Sequence, residues 1–316
     1  MIGRNRQLRS FVLGILGLDL VYLLCNHVGA DYRRLLTLSA IDGLLVLSLV
    51  VLTGLAGQIS FVQFEFAGFG ALTIGALVDH SHWSYWAALP VAVLAAAAVG
   101  VVVGLPALRL QGLILGVVTL ALALSFDDYV FTLGPFANGT VVGRPSLFGW
   151  DLRDDKAAFF FCALVLAGCA VLVVNLQRSK TGRIFAAIRD SEVAARTAGI
   201  DVVRYKLQAF AISAGLAGLA GALLAMTVGN VDRNSFTLLQ SINIAAVVIL
   251  MGPNLVASAF AGGIFLAWGG EALHHLGVSQ SYFNVILGAG LIIQLIAAPD
   301  GAVAQATKTL LREPAL

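Results

Sequence analysis

Long apolar stretches separated by short polar connections run through almost the whole chain. A stretch of about 20 apolar residues suits a helix crossing a bilayer core of about 30 Å, whereas a membrane β-barrel shows shorter, alternating segments. The pattern therefore predicts an all-α, polytopic membrane protein with about ten transmembrane or re-entrant helices in a single transmembrane domain, residues 1–316. The predicted spans are 11–28, 35–53, 58–79, 84–104, 111–133, 157–177, 207–228, 236–252, 256–273 and 281–298.

Composition supports this class of protein. Hydrophobic residues make up 59% of the 316 residues and charged residues 11%, whereas soluble domains carry about 25% charged residues. The net charge of +2 gives no indication of nucleic-acid binding. Because no clear A-x-A cleavage site follows the N-terminal apolar stretch, we interpret that stretch as a retained first span rather than a signal peptide.

Two longer polar connections, 134–156 and 178–206, set the predicted orientation. The second contains seven basic and three acidic residues, a net charge of +4, and cytoplasmic loops carry such an excess of Lys and Arg. The connection 178–206 is therefore predicted to be cytoplasmic, and ten spans then place both termini in the cytoplasm. The connection 134–156, with no net charge, is predicted to lie outside.

The stretch TGLAGQISFVQFEFAGFGALTIGAL, residues 53–77, mixes glycines and polar residues at membrane depth. Gly54 and Gly57 are predicted to break the helix before Gln58, leaving a helix N-terminus facing a cavity, as in transporters that bind substrate at broken helices. The alternative is that these polar side chains hydrogen-bond to neighbouring helices. The residues assigned to a substrate pathway are Gln58, Ser60, Gln63 and Glu65.

Catalytic and nucleotide-binding motifs are absent from the sequence. No GxxxxGK[ST], HExxH or GxSxG element occurs, and the three cysteines lack metal-ligand spacing. We therefore predict a non-catalytic protein without a cofactor or a metal site. A stand-alone ion-coupled secondary transporter would have to use a membrane carboxylate such as Glu65 or Asp42 for coupling.

Within the charged connection, Gly182 and Gly199 bracket a stretch with apolar residues at helical spacing. The pattern predicts one cytoplasmic helix over 183–198, ended by Gly199. Because its apolar face is mostly alanine, which anchors weakly in lipid, a protein partner is favoured over the membrane surface.

Four segments carry a resemblance to a known family. EVAARTAGI, 192–200, is similar to the coupling loop of ABC-importer permeases, which has the form E-A-A followed by glycine. With this loop, GLAGQISFVQFEFAGFGAL at 54–72, GLPALRLQGLILGVVTLALA at 104–123 and RPSLFG at 144–149 occur in order. From about residue 35 to 298, the chain resembles the branched-chain amino acid permease family, in its LivM-type branch.

The resemblance implies a permease subunit of an ABC importer for branched-chain or related amino acids, in a bacterial cytoplasmic membrane. It implies as partners cytoplasmic ATP-binding subunits, a second permease subunit forming a heterodimer, and an extracytoplasmic substrate-binding protein. The cytoplasmic helix would then dock onto an ATP-binding subunit. The residues assigned to ATPase coupling are the matched Glu192, Ala194, Ala195 and Gly199, together with the charged residues Arg183, Arg189 and Asp190 of the same predicted helix.

Two positions depart from the family pattern. Val62 stands where the family usually has glycine, and Glu65 where a small or apolar residue is common. Urea or short amides are the alternative substrates, because the urea permeases resemble this branch of the family closely. A buried carboxylate at Glu65 would favour a cationic or amide-bearing substrate, or be a protonated or paired structural group.

Overall fold

The computed structural model describes residues 29–297, except 109, 111, 137–138, 148–149, 253–255, 276, 278 and 280–281. The predicted first span, 11–28, and both chain termini lie outside the described residues. The α-helices are α1 (Ala30–Leu49), α2 (Gln63–Gly75), α3 (Tyr85–Ala107), α4 (Gly112–Asp128), α5 (Asp155–Arg178), α6 (Lys180–Asp190), α7 (Glu192–Thr197), α8 (Val202–Val228), α9 (Leu238–Met251), α10 (Ala257–His275) and α11 (Phe283–Ala297).

Short irregular helices and strands complete the described chain. π-helical turns follow α1 at Val50–Leu55 and α2 at Ala76–His80, and 3₁₀ turns occur at Val130–Thr132, Gly134–Phe136 and Arg233–Ser235. The strands are β1 (Thr140–Val141), β2 (Ser146–Leu147), β3 (Trp150–Asp151) and β4 (Asn230–Val231). β1 pairs with β4 and β2 with β3, both antiparallel. These two small ribbons are the exception to the predicted all-α fold.

Five helices in the described part of the chain are long and apolar enough to cross a membrane. They cover Tyr32–Leu55, Tyr85–Pro106, Ile114–Thr132, Asp155–Arg178 and Val202–Val228. The apolar helices Leu238–Met251 and Phe283–Gln294 are shorter. Helices also occupy the other spans predicted after residue 28, and the total of about ten crossing or re-entrant helices stays a prediction.

The long helix α8 lies at the centre, packed against α1, α2 and α3. Glycines allow the close approach: a side chain at Gly70 of α2 would collide with the backbone of Gly218, and one at Gly221 with the backbone of Ala67. Small residues at helix contacts are the usual way in which membrane helices approach closely. The glycine-rich GLAGLAG stretch of α8 therefore forms the tight contact with α2.

The predicted helix break is present, with a later restart than predicted. Gly57 has φ +67°, a left-handed conformation that glycine adopts without steric cost. Residues 58–62 are not helical, and α2 begins only at Gln63. The prediction of a helix from Gln58 is wrong here because the N–H of Phe61 donates to Thr119 Oγ1 of α4, at 3.1 Å, instead of a helical carbonyl.

The predicted single helix over 183–198 is also wrong: the structure has two helices, α6 and α7, which meet at Ser191. Ser191 is extended, with φ −160° and ψ 109°, and its Oγ accepts a hydrogen bond from the N–H of Ala194 at 3.2 Å. A serine that caps a new helix in this way cannot continue the preceding one. Gly199, with φ +80°, follows α7, and the N–H of Ile200 donates to Ala195 O at 3.1 Å. The predicted stop at Gly199 is confirmed.

Candidate functional site: the broken helix and the coupling segment

The broken-helix segment (residues 50–65) contains the four predicted pathway residues, and all four are buried. Gln63 opens α2, and its Nε2 donates to Ser48 Oγ at 2.8 Å and to Ser213 Oγ at 2.6 Å. Each of these hydroxyls gives its own hydrogen to a backbone carbonyl, Ser48 to Leu45 and Ser213 to Ser48. Both serines therefore accept from Gln63, which fixes the orientation of its amide.

Glu65 lies in the first turn of α2 and points toward α9. Ser241 Oγ donates to Glu65 Oε2 at 2.5 Å and accepts a hydrogen bond from the N–H of Phe64 at 2.8 Å. A helix N-terminus favours a negative group, and a buried carboxylate needs such partners. The Phe64 N–H, at the beginning of α2, is thus hydrogen-bonded to a serine of another helix. It does not face the cavity that the sequence predicts.

Gln58 and Ser60 hold the non-helical part of the segment together. Gln58 Nε2 donates to Ala56 O at 3.2 Å, and Thr53 Oγ1 donates to Gln58 O at 3.2 Å. Ser60 Oγ accepts from the N–H of Val62 at 3.4 Å. Hydrogen bonds to neighbouring helices, the alternative interpretation of this cluster, are therefore present for Gln63 and Glu65, whereas Gln58 and Ser60 bond within their own segment.

Each of the three long side chains nevertheless keeps one buried oxygen without a hydrogen-bond partner among the described residues: Oε1 of Gln58, of Gln63 and of Glu65. All three are acceptors. Buried polar atoms are usually hydrogen-bonded, so each of these acceptors can take a hydrogen bond from a water or from an N–H group of a ligand.

The coupling segment (residues 178–206) folds as a compact unit against α8. Phe185 and Ile188 of α6 are buried, and the ring of Phe185 meets Tyr205 edge-on at 6.2 Å. Ala195 of α7 is buried with Ile188 and Val202. At the start of α6, Ser179 caps the helix, its Oγ accepting from the N–H of Gly182 at 3.2 Å.

Glu192 forms ion pairs within the coupling segment. Its carboxylate lies 2.9 Å from the ammonium of Lys206, which is 1% exposed, and 2.7 Å from the guanidinium of Arg196. Of the predicted coupling residues, Glu192 and Ala195 therefore point into the segment itself. The ones on the outer surface are Arg183, Asp190, Ala194 and Gly199, joined by the 74% exposed side chain of Val193. Arg189 is also partly exposed, but its guanidinium is directed inward.

Arg189 brings the two regions together. Its Nη1 donates to Gly54 O at 2.7 Å across 135 residues of sequence. A Cβ placed on Gly57 would lie 2.6 Å from Arg189 Cγ, so the two segments are in direct contact. The segment with the predicted coupling residues thus contacts the segment with the predicted pathway residues through Arg189, Gly54 and Gly57.

The sequence-based assignment missed four residues of this site: Ser48, Ser213, Ser241 and Lys206. The three serines sit inside apolar helices, where a hydroxyl that bonds between helices is a known stabilising device. The charge pattern includes Lys206 only as one of the seven basic residues of 178–206. Its position at the start of a long apolar helix is the signal that an acidic partner is needed.

A separate cavity of about 720 Å³ lies at the opposite end of α5 and α8, next to β1 and β4. It is lined by both basic and acidic side chains, including Arg34, Arg144 and Asp155. Arg144 Nη1 contacts Asp155 Oδ1 at 2.6 Å, which ties the start of α5 to this end of the molecule. None of the predicted pathway residues lines this cavity.

Comparison with known proteins places the whole described fold in one family. Residues 32–295 match the model for the branched-chain amino acid transport system permease component. The chain is 33% identical over 294 residues to the high-affinity branched-chain amino acid transport system permease protein LivM of Escherichia coli K12, covering 84% of this chain and 68% of that protein. LivM of Salmonella typhimurium LT2 is 32% identical over 294 residues, with the same coverage.

A relative named for another cargo is also similar. The autoinducer 2 import system permease protein LsrC of Enterobacter sp. 638 is 27% identical over 322 residues, covering 96% of this chain and 89% of that protein. No solved structure matches. The family match over nearly the entire described chain, and the identity to LivM, show that this chain belongs to the family of branched-chain amino acid ABC transporter permeases.

Proposed function

We propose that this chain is the transmembrane permease subunit of an ABC importer for branched-chain or related amino acids in a bacterial cytoplasmic membrane. The broken-helix segment forms part of the substrate pathway. The coupling segment docks onto a cytoplasmic ATP-binding subunit, which hydrolyses the ATP. A second permease subunit completes the pore as a heterodimer, an extracytoplasmic binding protein delivers the substrate, and both termini of the chain are cytoplasmic.

The observation that carries this proposal is the contact between the coupling segment and the broken helix. α6 and α7 present charged and small side chains outward, while Arg189 reaches back to Gly54 beside the pathway residues. A partner that moves the outer face of the segment would therefore move the break. Charged residues around small ones suit a protein interface, where they set the orientation of docking.

The acceptors at the break support the proposed substrate class. Oxygens of Gln58, Gln63 and Glu65 lack partners among the described residues, and a carboxylate in an apolar setting binds an ammonium group well. The amino group of an amino acid supplies such donors. LivM of Escherichia coli, 33% identical, is named for branched-chain amino acid transport.

The test is uptake by the reconstituted importer. The chain is purified with its ATP-binding subunits, the second permease subunit and the binding protein, and placed in proteoliposomes. We expect ATP-dependent accumulation of radiolabelled leucine, isoleucine or valine, and none without the ATP-binding subunits. Accumulation of urea or acetamide in place of these amino acids would overturn the substrate class. Accumulation by this chain alone, driven by a H⁺ or Na⁺ gradient, would overturn the ABC assignment.

A further inference from the structure

The π-helical end of the α1 helix leaves backbone carbonyls that need donors. Normal helical hydrogen bonding stops at the break, where the N–H of Ala56 bonds to Val51 O and the N–H of Gln58 to Leu52 O. Side chains supply the other donors: Gln58 Nε2 to Ala56 O, and Arg189 Nη1 to Gly54 O at 2.7 Å. Of these four donors, Arg189 Nη1 is the one that belongs to the coupling segment.

The geometry around Gly57 leaves no space between the two segments. A Cβ at position 57 would lie 2.6 Å from Cγ, 3.2 Å from Cβ and 3.3 Å from Cα of Arg189. The backbone of α6 itself thus rests on the turn. Two features therefore favour glycine at position 57: its φ of +67°, and the close contact with Arg189, which leaves no room for a Cβ.

On the far side of the break, the chain is tied to the bundle. Gln63 bonds to Ser48 of α1 and Ser213 of α8, and Phe61 bonds through its N–H to Thr119 of α4. A displacement of the turn at Gly57 is therefore passed within six residues to a junction of three helices. Interfaces of packed helices respond to such shifts by changing between discrete arrangements.

We infer that Arg189 is a positioning residue that fixes the break of the pathway helix to α6, so that the break moves with the coupling segment during the transport cycle. This inference rests on the proposed function. It differs from the assignment of Arg189 to the ATPase contact because its guanidinium is directed toward Gly54, inside the permease. Loss of the side chain should leave the ATP-binding subunit attached and disconnect its movement from the pathway.

The experiment measures movement of the break directly, without transport. Ser60, buried beside the break, is replaced by cysteine in a chain whose native Cys25, Cys162 and Cys169 are changed to alanine. The chain is assembled with its ATP-binding subunits and second permease subunit in proteoliposomes. The rate of maleimide labelling at position 60 is then compared in the nucleotide-free state and after vanadate trapping of the ATP-binding subunits.

With Arg189 present, trapping should change the labelling rate, and in Arg189→Ala this change should be about tenfold smaller, because a hydrogen bond from a charged donor is worth at least a factor of ten in an equilibrium. Arg189→Lys, which can still donate one hydrogen bond, should recover part of the change. Lys180→Ala is the matched control: it removes one exposed positive charge from the same helix and should behave as the parent.

The outcomes separate the inference from the proposed function. A full labelling change in Arg189→Ala would overturn the inference, as would loss of the ATP-binding subunits from Arg189→Ala on co-purification, since Arg189 would then act at the ATPase contact. Failure of the parent chain to assemble with ATP-binding subunits would overturn the proposed function itself. An unchanged labelling rate after trapping in a complete parent complex would overturn only the inference.

Discussion

Glu192 and Lys206 form an ion pair at 2.9 Å inside the coupling segment, with 11% and 1% of their side chains exposed. Glu192 begins α7 and Lys206 lies in the first turns of α8, so the pair joins the middle of the segment to its C-terminal end. Its position explains why the glutamate of the E-x-A-A motif in this chain stabilises the segment from within, while neighbouring residues form its outer surface.

Glu192→Gln should loosen the coupling segment. Removing one partner of a buried pair costs about 3 kcal/mol at the lower end of the usual range, which corresponds to about a hundredfold more frequent local opening. Limited trypsin digestion of the purified chain should therefore cut within 178–206 about a hundred times faster. Asp190→Asn, which removes an exposed acid from the same segment (72% exposed, 3.5 Å from Arg189), should change the cleavage rate little. Equal rates for the two variants would contradict the structural role of the pair.

Gly221→Ala should destabilise the helix bundle. The added Cβ meets the backbone of Ala67, which cannot rotate away as a flexible side chain can, and overpacking of this kind costs about 1–3 kcal/mol. The measurement is the thermal midpoint of the detergent-solubilised chain, followed by size-exclusion chromatography after heating.

Gly168→Ala is the matched control for that variant. Gly168 also lies inside a helix, α5, but nothing lies within 4 Å of a Cβ placed there. Alanine is favoured over glycine in a helix by about 0.5–1 kcal/mol, so this variant should melt at the parent temperature or slightly above. A Gly221→Ala chain that melts with it would show that α2 and α8 are farther apart than described.

The sequence predicts the helices well because a membrane imposes one requirement on every span, a long apolar stretch with internal hydrogen bonding. The break at Gly57 was also predictable, since glycines and polar residues interrupt one such stretch. The restart at Gln63 was not, because it depends on Thr119, 58 residues away in sequence. The division of the coupling helix depends on whether Ser191 caps or continues a helix, and periodicity alone does not distinguish the two.

The candidate site likewise has features that the local sequence predicts and features that depend on residues far away in sequence. A family motif placed the coupling residues at 192–199, yet which of them face outward depends on Lys206 and on the buried cluster of Ile188, Ala195 and Val202. The contact between Arg189 and Gly54 joins residues 135 positions apart. No hydropathy or charge pattern within either segment carries this information, because it results from the packing of the whole bundle.

Glu65→Gln should lower ATP-dependent uptake of leucine by the reconstituted importer about tenfold. The amide can still accept the hydrogen bond of Ser241, but its neutral oxygen binds an ammonium group more weakly than a carboxylate does, by roughly 1–2 kcal/mol. Uptake at several leucine concentrations, with ATP hydrolysis measured in parallel, separates weaker binding from loss of assembly.

Asp128→Asn serves as the control for that variant, because Asp128 is an exposed carboxylate at the end of α4 and should leave uptake unchanged. If Glu65→Gln transports leucine at the parent rate, the carboxylate is a structural partner of Ser241, and the ammonium-binding role is excluded.

Val193→Asp should prevent attachment of the ATP-binding subunit while the permease itself folds normally. Val193 is an apolar residue of α7 with 74% of its surface exposed, and an aspartate within the proposed docking surface would have to lose its hydration without a partner there. The measurement is co-purification of the ATP-binding subunit with tagged chain, quantified against the amount of folded chain; we expect at least a tenfold loss.

Val141→Asp is the matched control, an equally drastic change at a 62% exposed valine of β1, at the opposite end of α8. It should retain the subunit. Retention by both variants would place the ATPase contact away from Val193, whereas loss in both would point to a general defect in assembly.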